Sequence, residues 1–209
     1  YPIDFFWRAA QRWPDRIAID APAARLTYTQ LSSRVSAVAA ALQKMDPSIQ
    51  SRVGICASNS VDHIVCLLAV LACGKVWVPL NAKSTEPEIR RITDAVRPSI
   101  VMLERAYTDL VSDSTAHRIV MDGEAGDPNA LETLVEREMG ASPPRFELPA
   151  DATQAIKFTG GTTGAPKGVM QPYRAWVANI VNQIHAWGFD ENDRYVMAAP
   201  VTHGTSTYV

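Results

Sequence analysis

Apolar residues recur along this chain with two periods, and the period switches repeatedly. In DFFWRAAQRW, residues 4–13, Phe6, Ala10 and Trp13 fall at helical spacing and Pro14 closes the segment. RIAID and ARLTYTQL read as short strands around a turn at Ala21-Pro22. Leu31, Val35, Val38, Leu42 and Met45 return at alternating steps of four and three, which predicts an amphipathic helix from near Thr29 to Asp46-Pro47.

Strand-like and helix-like stretches then alternate. RVGICA is a short buried strand, and SVDHIVCLLAVLACG is a helix apolar nearly all round, closed by Gly74. VWVPL is the next strand. Thr85-Glu86-Pro87-Glu88 forms a capping box with proline in the first turn, and that helix stops before Pro98. SIVML and RIVM are further strands, while Leu131, Leu134, Val135 and Met139 mark another helix. GASPPRFELPADAT, residues 140–153, is Pro-rich and without pattern, a candidate subdomain boundary. Beyond it come the strand QAIKFT, a glycine-rich loop and VMQ. A helix from Pro172 follows, with Trp176, Ile180, Ile184 and Trp187 as its buried stripe and Gly188 as its stop. RYVMAAP is expected to be a final strand leading into Thr202-His203-Gly204. The alternation predicts an α/β fold, mostly parallel sheets with helices packed on them.

Composition narrows the function. Lys and Arg number 20 against 22 Asp and Glu, a net charge of −2, which argues against a nucleic-acid surface or a polybasic membrane patch. The longest apolar run, IVCLLAVLAC, is ten residues, half the about 20 that a transmembrane helix needs. Cys56, Cys66 and Cys73 are too few and wrongly spaced for a metal site or a disulfide framework. They read as reduced core thiols in a cytoplasmic protein. His63, His117 and His185 match no motif and read as surface or packing residues. A chain that opens at Tyr1 and stops at Val209, straight after PVTHGTSTYV, reads as a piece of something longer.

The chemistry concentrates in FTGGTTGAPKGV, residues 158–169, which holds four glycines, three threonines, one proline and one lysine. Gly160, Gly161, Gly164 and Gly168 can take positive φ, so successive N–H groups can turn toward one anion. Thr159, Thr162 and Thr163 add hydroxyls, and Lys167 adds a compact positive charge stiffened by Pro166. Phosphate, and polyphosphate above all, uses these together. The alternative is a Gly/Thr-rich hairpin tip that binds nothing. A Walker loop is excluded, since Pro166 precedes and Gly168 follows the lysine, and the dinucleotide fingerprint has no match in 160–168.

This stretch resembles the phosphate-loop signature of the adenylate-forming superfamily, which includes acyl-CoA synthetases, luciferases and the adenylation domains of peptide synthetases. LTYTQL, LLAVLACGKVWVPLN and AAPVTHG resemble further segments of the same family, so residues 1–209 lie along the first part of its large N-terminal domain. The resemblance implies an incomplete domain, with the adenine and ribose motifs and the small domain bearing a catalytic lysine beyond Val209. It implies activation of a small-molecule carboxylate by ATP and Mg²⁺ to an acyl-adenylate, with pyrophosphate released. Thioester formation with coenzyme A would follow, as in an acyl-CoA synthetase for a fatty, cyclic or aromatic acid. Thr159, Gly160, Gly161, Thr162, Thr163, Gly164 and Lys167 would hold the β- and γ-phosphates, Lys167 also serving catalysis, and no residue is assigned as a metal ligand. His203 would border the acyl site, beside the carboxylate or reshaping the pocket. Its bland alternative is a histidine satisfied at a strand end. Gly204 would make room at the pocket wall, or simply form a turn. Two departures stand out. Gly160 replaces a common serine, and Tyr173 stands where many members have histidine. The competing readings are an adenylation domain that loads a carrier protein and a non-catalytic nucleotide- or partner-binding module. By itself the fragment is expected to be inactive, and nothing in it fixes an oligomeric state.

Overall fold

Helix starts are written locally and the folded chain obeys them. A computed structural model describes residues 1–111, 116–159 and 167–202. After α1 (Pro2–Arg12), a small antiparallel hairpin pairs β1 (Ile17–Ala21) with β2 (Ala24–Thr27). The Thr27 hydroxyl accepts from the Gln30 N–H at 3.2 Å, and the Gln30 carboxamide oxygen accepts from the Thr27 N–H at 2.9 Å. That reciprocal cap ends β2 and opens α2 (Tyr28–Met45), so ARLTYTQL is half strand and half helix rather than all strand. The Glu88 carboxylate likewise accepts from the Thr85 N–H at 2.8 Å at the start of α4 (Glu86–Val96), which ends as Arg97 turns left-handed ahead of Pro98.

The main sheet has six strands in the order β6-β5-β3-β4-β7-β8. They are β3 (Arg52–Cys56), β4 (Val76–Leu80), β5 (Ile100–Leu103), β6 (His117–Val120), β7 (Thr153–Thr159) and β8 (Lys167–Pro172). All pairings are parallel except β7 with β8, which is antiparallel. Alternate residues feed opposite cores. Val53, Ile55, Trp77, Ile100, Met102 and Ala155 meet α2, α3 (Val61–Ala72) and α5 (Leu131–Arg137) on one side. On the other, Cys56, Val78, Leu80, Val101 and Leu103 meet α4 and the end of a short 3₁₀ helix (Arg105–Val111). Because α3 lies between the sheet and α2, it is apolar on two faces, as its sequence shows. All three cysteines are free and buried, and burial pushes the Cys56 and Cys73 thiols up to about 12.

The joint between α3 and β4 is pinned from two sides. Gly74 takes φ +68° beneath the Phe146 ring, where a Cβ would stand 2.8 Å from a ring carbon. Lys75, fully buried, donates to the carbonyls of Asp46 at 2.6 Å and Ser48 at 3.1 Å and to the Ser51 hydroxyl at 2.9 Å. Burial lowers its ammonium pKa, and the Asp46 carboxylate 4.0 Å away opposes that.

Three expectations need correction. RYVMAAP forms no strand; Val196 is exposed and the segment runs as irregular chain. Strand pairing is non-local, and none of the described strands lies beside it. The stripe on α6 (Tyr173–Trp187) is buried only at its start: Trp176 is covered, whereas Ile184 and Trp187 are 41% and 60% exposed. The first turns of α6 pack on the sheet and its last turns run past it. Met139 likewise falls outside α5 and is exposed.

Candidate active site

Parallel pairing places the C-terminal ends of β3, β4, β5 and β7 on one edge of the sheet, the edge where open α/β sheets bind ligands. Thr159 is the last residue of β7 and Lys167 the first of β8, and the two are direct cross-strand partners. The glycine-rich stretch therefore closes an antiparallel hairpin at the ligand edge. Gly160, Gly161, Thr162, Thr163 and Gly164 lie outside the described residues, as do His203 and Gly204. Of the expected site residues, the structure brings Thr159 and Lys167 together, both exposed.

Gly168 has a different task from the one its place in the motif suggested. It lies inside β8 opposite Phe158, and a Cβ there would meet the Phe158 ring and the Ile156 side chain at 3.1 Å. The missing side chain lets the aromatic ring close over the strand, which stiffens the base of the hairpin. Tyr173, at the start of α6, is buried against Tyr1, their ring centres 5.0 Å apart. It supports the start of the helix by packing.

Sequence reasoning passed over two features of this edge. Lys157 shares a face of β7 with Thr159, and its ammonium lies 5.0 Å from the Trp77 ring centre and 5.1 Å from that of Trp176. Those indoles meet edge to face at 6.0 Å. Burial pushes the Lys157 ammonium down to about 8. A lone lysine in the apolar strand QAIKFT was the available signal. The second feature is Asn59, in the turn after β3, which bonds the main chain at Met197, Ala199 and Val201. Nearby, His63 on α3 is buried, with Nδ1 donating to the Ser58 carbonyl at 2.9 Å and Nε2 without a hydrogen-bond partner among the described residues. Among the described residues, no group of three His, Cys, Asp or Glu side chains could hold a metal ion.

A hairpin tip rich in glycine and threonine, opened by Thr159 and closed by Lys167 on the ligand edge, is the setting in which the comparisons take meaning. The AMP-binding enzyme family matches residues 6–209. The chain belongs to that family. Among curated relatives, tyrocidine synthase 1 of Brevibacillus parabrevis is 28% identical over 206 residues, covering 97% of this chain and 18% of that protein. Indoleacetate–CoA ligase of Aromatoleum aromaticum (strain DSM 19018 / LMG 30748 / EbN1) is 29% identical over 197 residues, 91% of this chain and 38% of the ligase. The N-terminal subdomain of Klebsiella oxytoca NpsA, solved with 3-hydroxybenzoyl-AMSN, aligns with a TM-score of 0.79 at 27% identity, covering 99% of this chain and 49% of that one. The AMP-binding chain thus spans less than half the length of each of these relatives. Its mixed α/β architecture, with a mostly parallel central sheet, is that of the adenylate-forming enzymes' N-terminal subdomain. Among the described residues, no helix is long and apolar enough to cross a membrane.

Proposed function

We propose that the protein carrying this chain activates a small-molecule carboxylate with ATP. A carboxylate oxygen attacks the α-phosphorus, the bond to the β-phosphate oxygen breaks, and pyrophosphate leaves with its electron pair. The observation that supports the reading is the Thr159–Lys167 pairing, which brackets the glycine- and threonine-rich sequence at the edge of the sheet where ligands bind in such folds. On this reading Thr159, Gly160, Gly161, Thr162, Thr163, Gly164 and Lys167 hold the β- and γ-phosphates. Fixing the leaving group and neutralising its charge is most of what a protein contributes to such a transfer. Magnesium, when bound, supplies further charge neutralisation on the triphosphate. Thr159, the last residue of β7, and its cross-strand partner Lys167 stand at the mouth of the hairpin, which supports their part in that grip.

His203 and Gly204 are read as bordering the acyl group, and residues 140–153 as a joint between two subdomains. The proposed acid is aromatic or cyclic: one relative is named for indoleacetate, and NpsA was solved with a 3-hydroxybenzoyl adenylate analogue. Coenzyme A is the proposed acceptor. Loading of a carrier protein is the second reading, supported by the comparable similarity to tyrocidine synthase 1. Carboxylate-dependent exchange of pyrophosphate into ATP by the complete protein, across aromatic, cyclic and fatty acids, tests the activity. Trapping with coenzyme A against a phosphopantetheinylated carrier protein separates the acceptors. A complete protein that binds ATP yet exchanges no pyrophosphate with any acid would instead be the non-catalytic module.

A further inference from the structure

The outer border of the sheet is unlike its centre. β4 and β5 are buried at every position, whereas β8 is exposed from Lys167 to Met170. Among the described residues β8 pairs with β7 alone, so its far edge carries peptide groups that no described strand meets. Val169 and Met170 point to opposite faces and both are exposed, Met170 to 65%, so both faces of the strand are wet. α6 packs along the same border. Its start is held to β8 by Trp176, whose indole donates to the Gln171 carboxamide oxygen at 3.0 Å. Its last turns present Val181, Ile184 and Trp187, all exposed, as one apolar stripe at helical spacing. The Phe189 ring meets that of Trp187 edge to face at 5.4 Å and widens the patch. A strand edge and a helix stripe, both apolar and both open, therefore adjoin.

We propose that this border is an internal docking surface: further residues of the same polypeptide, those that complete the AMP-binding domain, pack on the α6 stripe and cover the edge of β8. Length favours this occupant over a second copy of the chain. The NpsA subdomain aligns with 99% of this chain, and the aligned part is 49% of that subdomain. A unit of this fold thus carries about as much chain again, which needs an apolar surface to pack against. An exposed tryptophan stripe beside an unpaired edge strand is what an isolated protein avoids and what a further layer requires. Nothing in this docking depends on the carboxylate chemistry.

Hydroxyl-radical footprinting of the complete protein, read by mass spectrometry, tests it. Trp187 and Met170 should be oxidised as slowly as Trp176 and Met102, which are buried within this chain. Oxidation of either residue at the rate found in the urea-unfolded protein overturns the proposal. Protection that disappears on dilution, as a dimer dissociates in sedimentation, assigns the surface to a second copy and overturns it equally. Trp187→Asp in the complete protein adds a second readout. A packed stripe would then bury an unpaired carboxylate, so Tm should fall by about 5 °C or more. A fall of less than about 2 °C, the behaviour of a wet surface site, overturns the proposal. The footprint needs no variant, so it decides the matter even where Trp187→Asp fails to fold. A complete protein without carboxylate-dependent pyrophosphate exchange would end the proposed activity and leave this docking to the footprint.

Discussion

Lys157 holds its ammonium 5.0 Å from the centre of the Trp77 ring, on the strand that ends at Thr159, where the glycine-rich hairpin opens. Burial disfavours the charged amine and brings it down to about 8, while the indole faces attract the charge. The ordinary value of 10.5 applies to the unfolded chain, so between about 8 and 10.5 the unfolded chain binds more protons. Stability contributed here rises with pH through that window and is flat below it. Chemical denaturation of the parent against Lys157→Met should show their difference shifting in the parent's favour as pH rises through the window. A difference independent of pH would contradict the shifted amine.

Lys167 is exposed at the opening of β8. In the complete protein, Lys167→Ala should slow pyrophosphate exchange about 10²-fold, the usual cost of removing one donor that faces developing charge. Tm should move by less than about 2 °C, because no packed group is lost. Lys167→Arg should recover only part of the rate, since a broad planar guanidinium replaces a compact ammonium. Exchange kinetics and a melting curve on the same preparations check both halves.

Lys75 satisfies two carbonyls and one hydroxyl with a single buried ammonium. Lys75→Met leaves those acceptors without a donor and should cost about 2–4 kcal/mol in denaturant unfolding. The loss is expected although methionine matches the stem in size and polarity.

Gly74→Ala should cost about 1–3 kcal/mol, from the left-handed backbone and the clash with Phe146 together. Adding Phe146→Ala removes the clash and leaves the backbone penalty. The double variant should therefore be less destabilised than the sum of the single ones, as a denaturant double-mutant cycle will show.

Much of the fold was readable because its signals are local. The Thr85–Glu88 cap, the turn at Gly74 and the stripe from Leu31 to Leu42 each lie within a few residues of what they determine. The antiparallel return of β8, the exposure of Trp187 and the irregular path of 194–200 depend on which strand or helix arrives from elsewhere, and no periodicity encodes that. The candidate site divides the same way. Thr159 and Lys167 stand inside a distinctive motif. Asn59 bonds to peptide groups, which are the same for every residue type, so nothing in the sequence at 197–201 marks it as their partner.

The reversal of direction at β8 has a consequence for how a triphosphate would be gripped. In nucleotide folds where a strand runs through its loop into a helix, the helix dipole draws negative charge to its N-terminus. Here the chain doubles back as a ribbon, and α6 begins only after β8 has returned the length of β7. Among the described residues, no helix follows directly on β7. On the proposed reading, the grip on the phosphate tail would rest on the glycine-rich stretch and on Lys167, so swapping that one ammonium should weigh more heavily here than in a helix-backed loop.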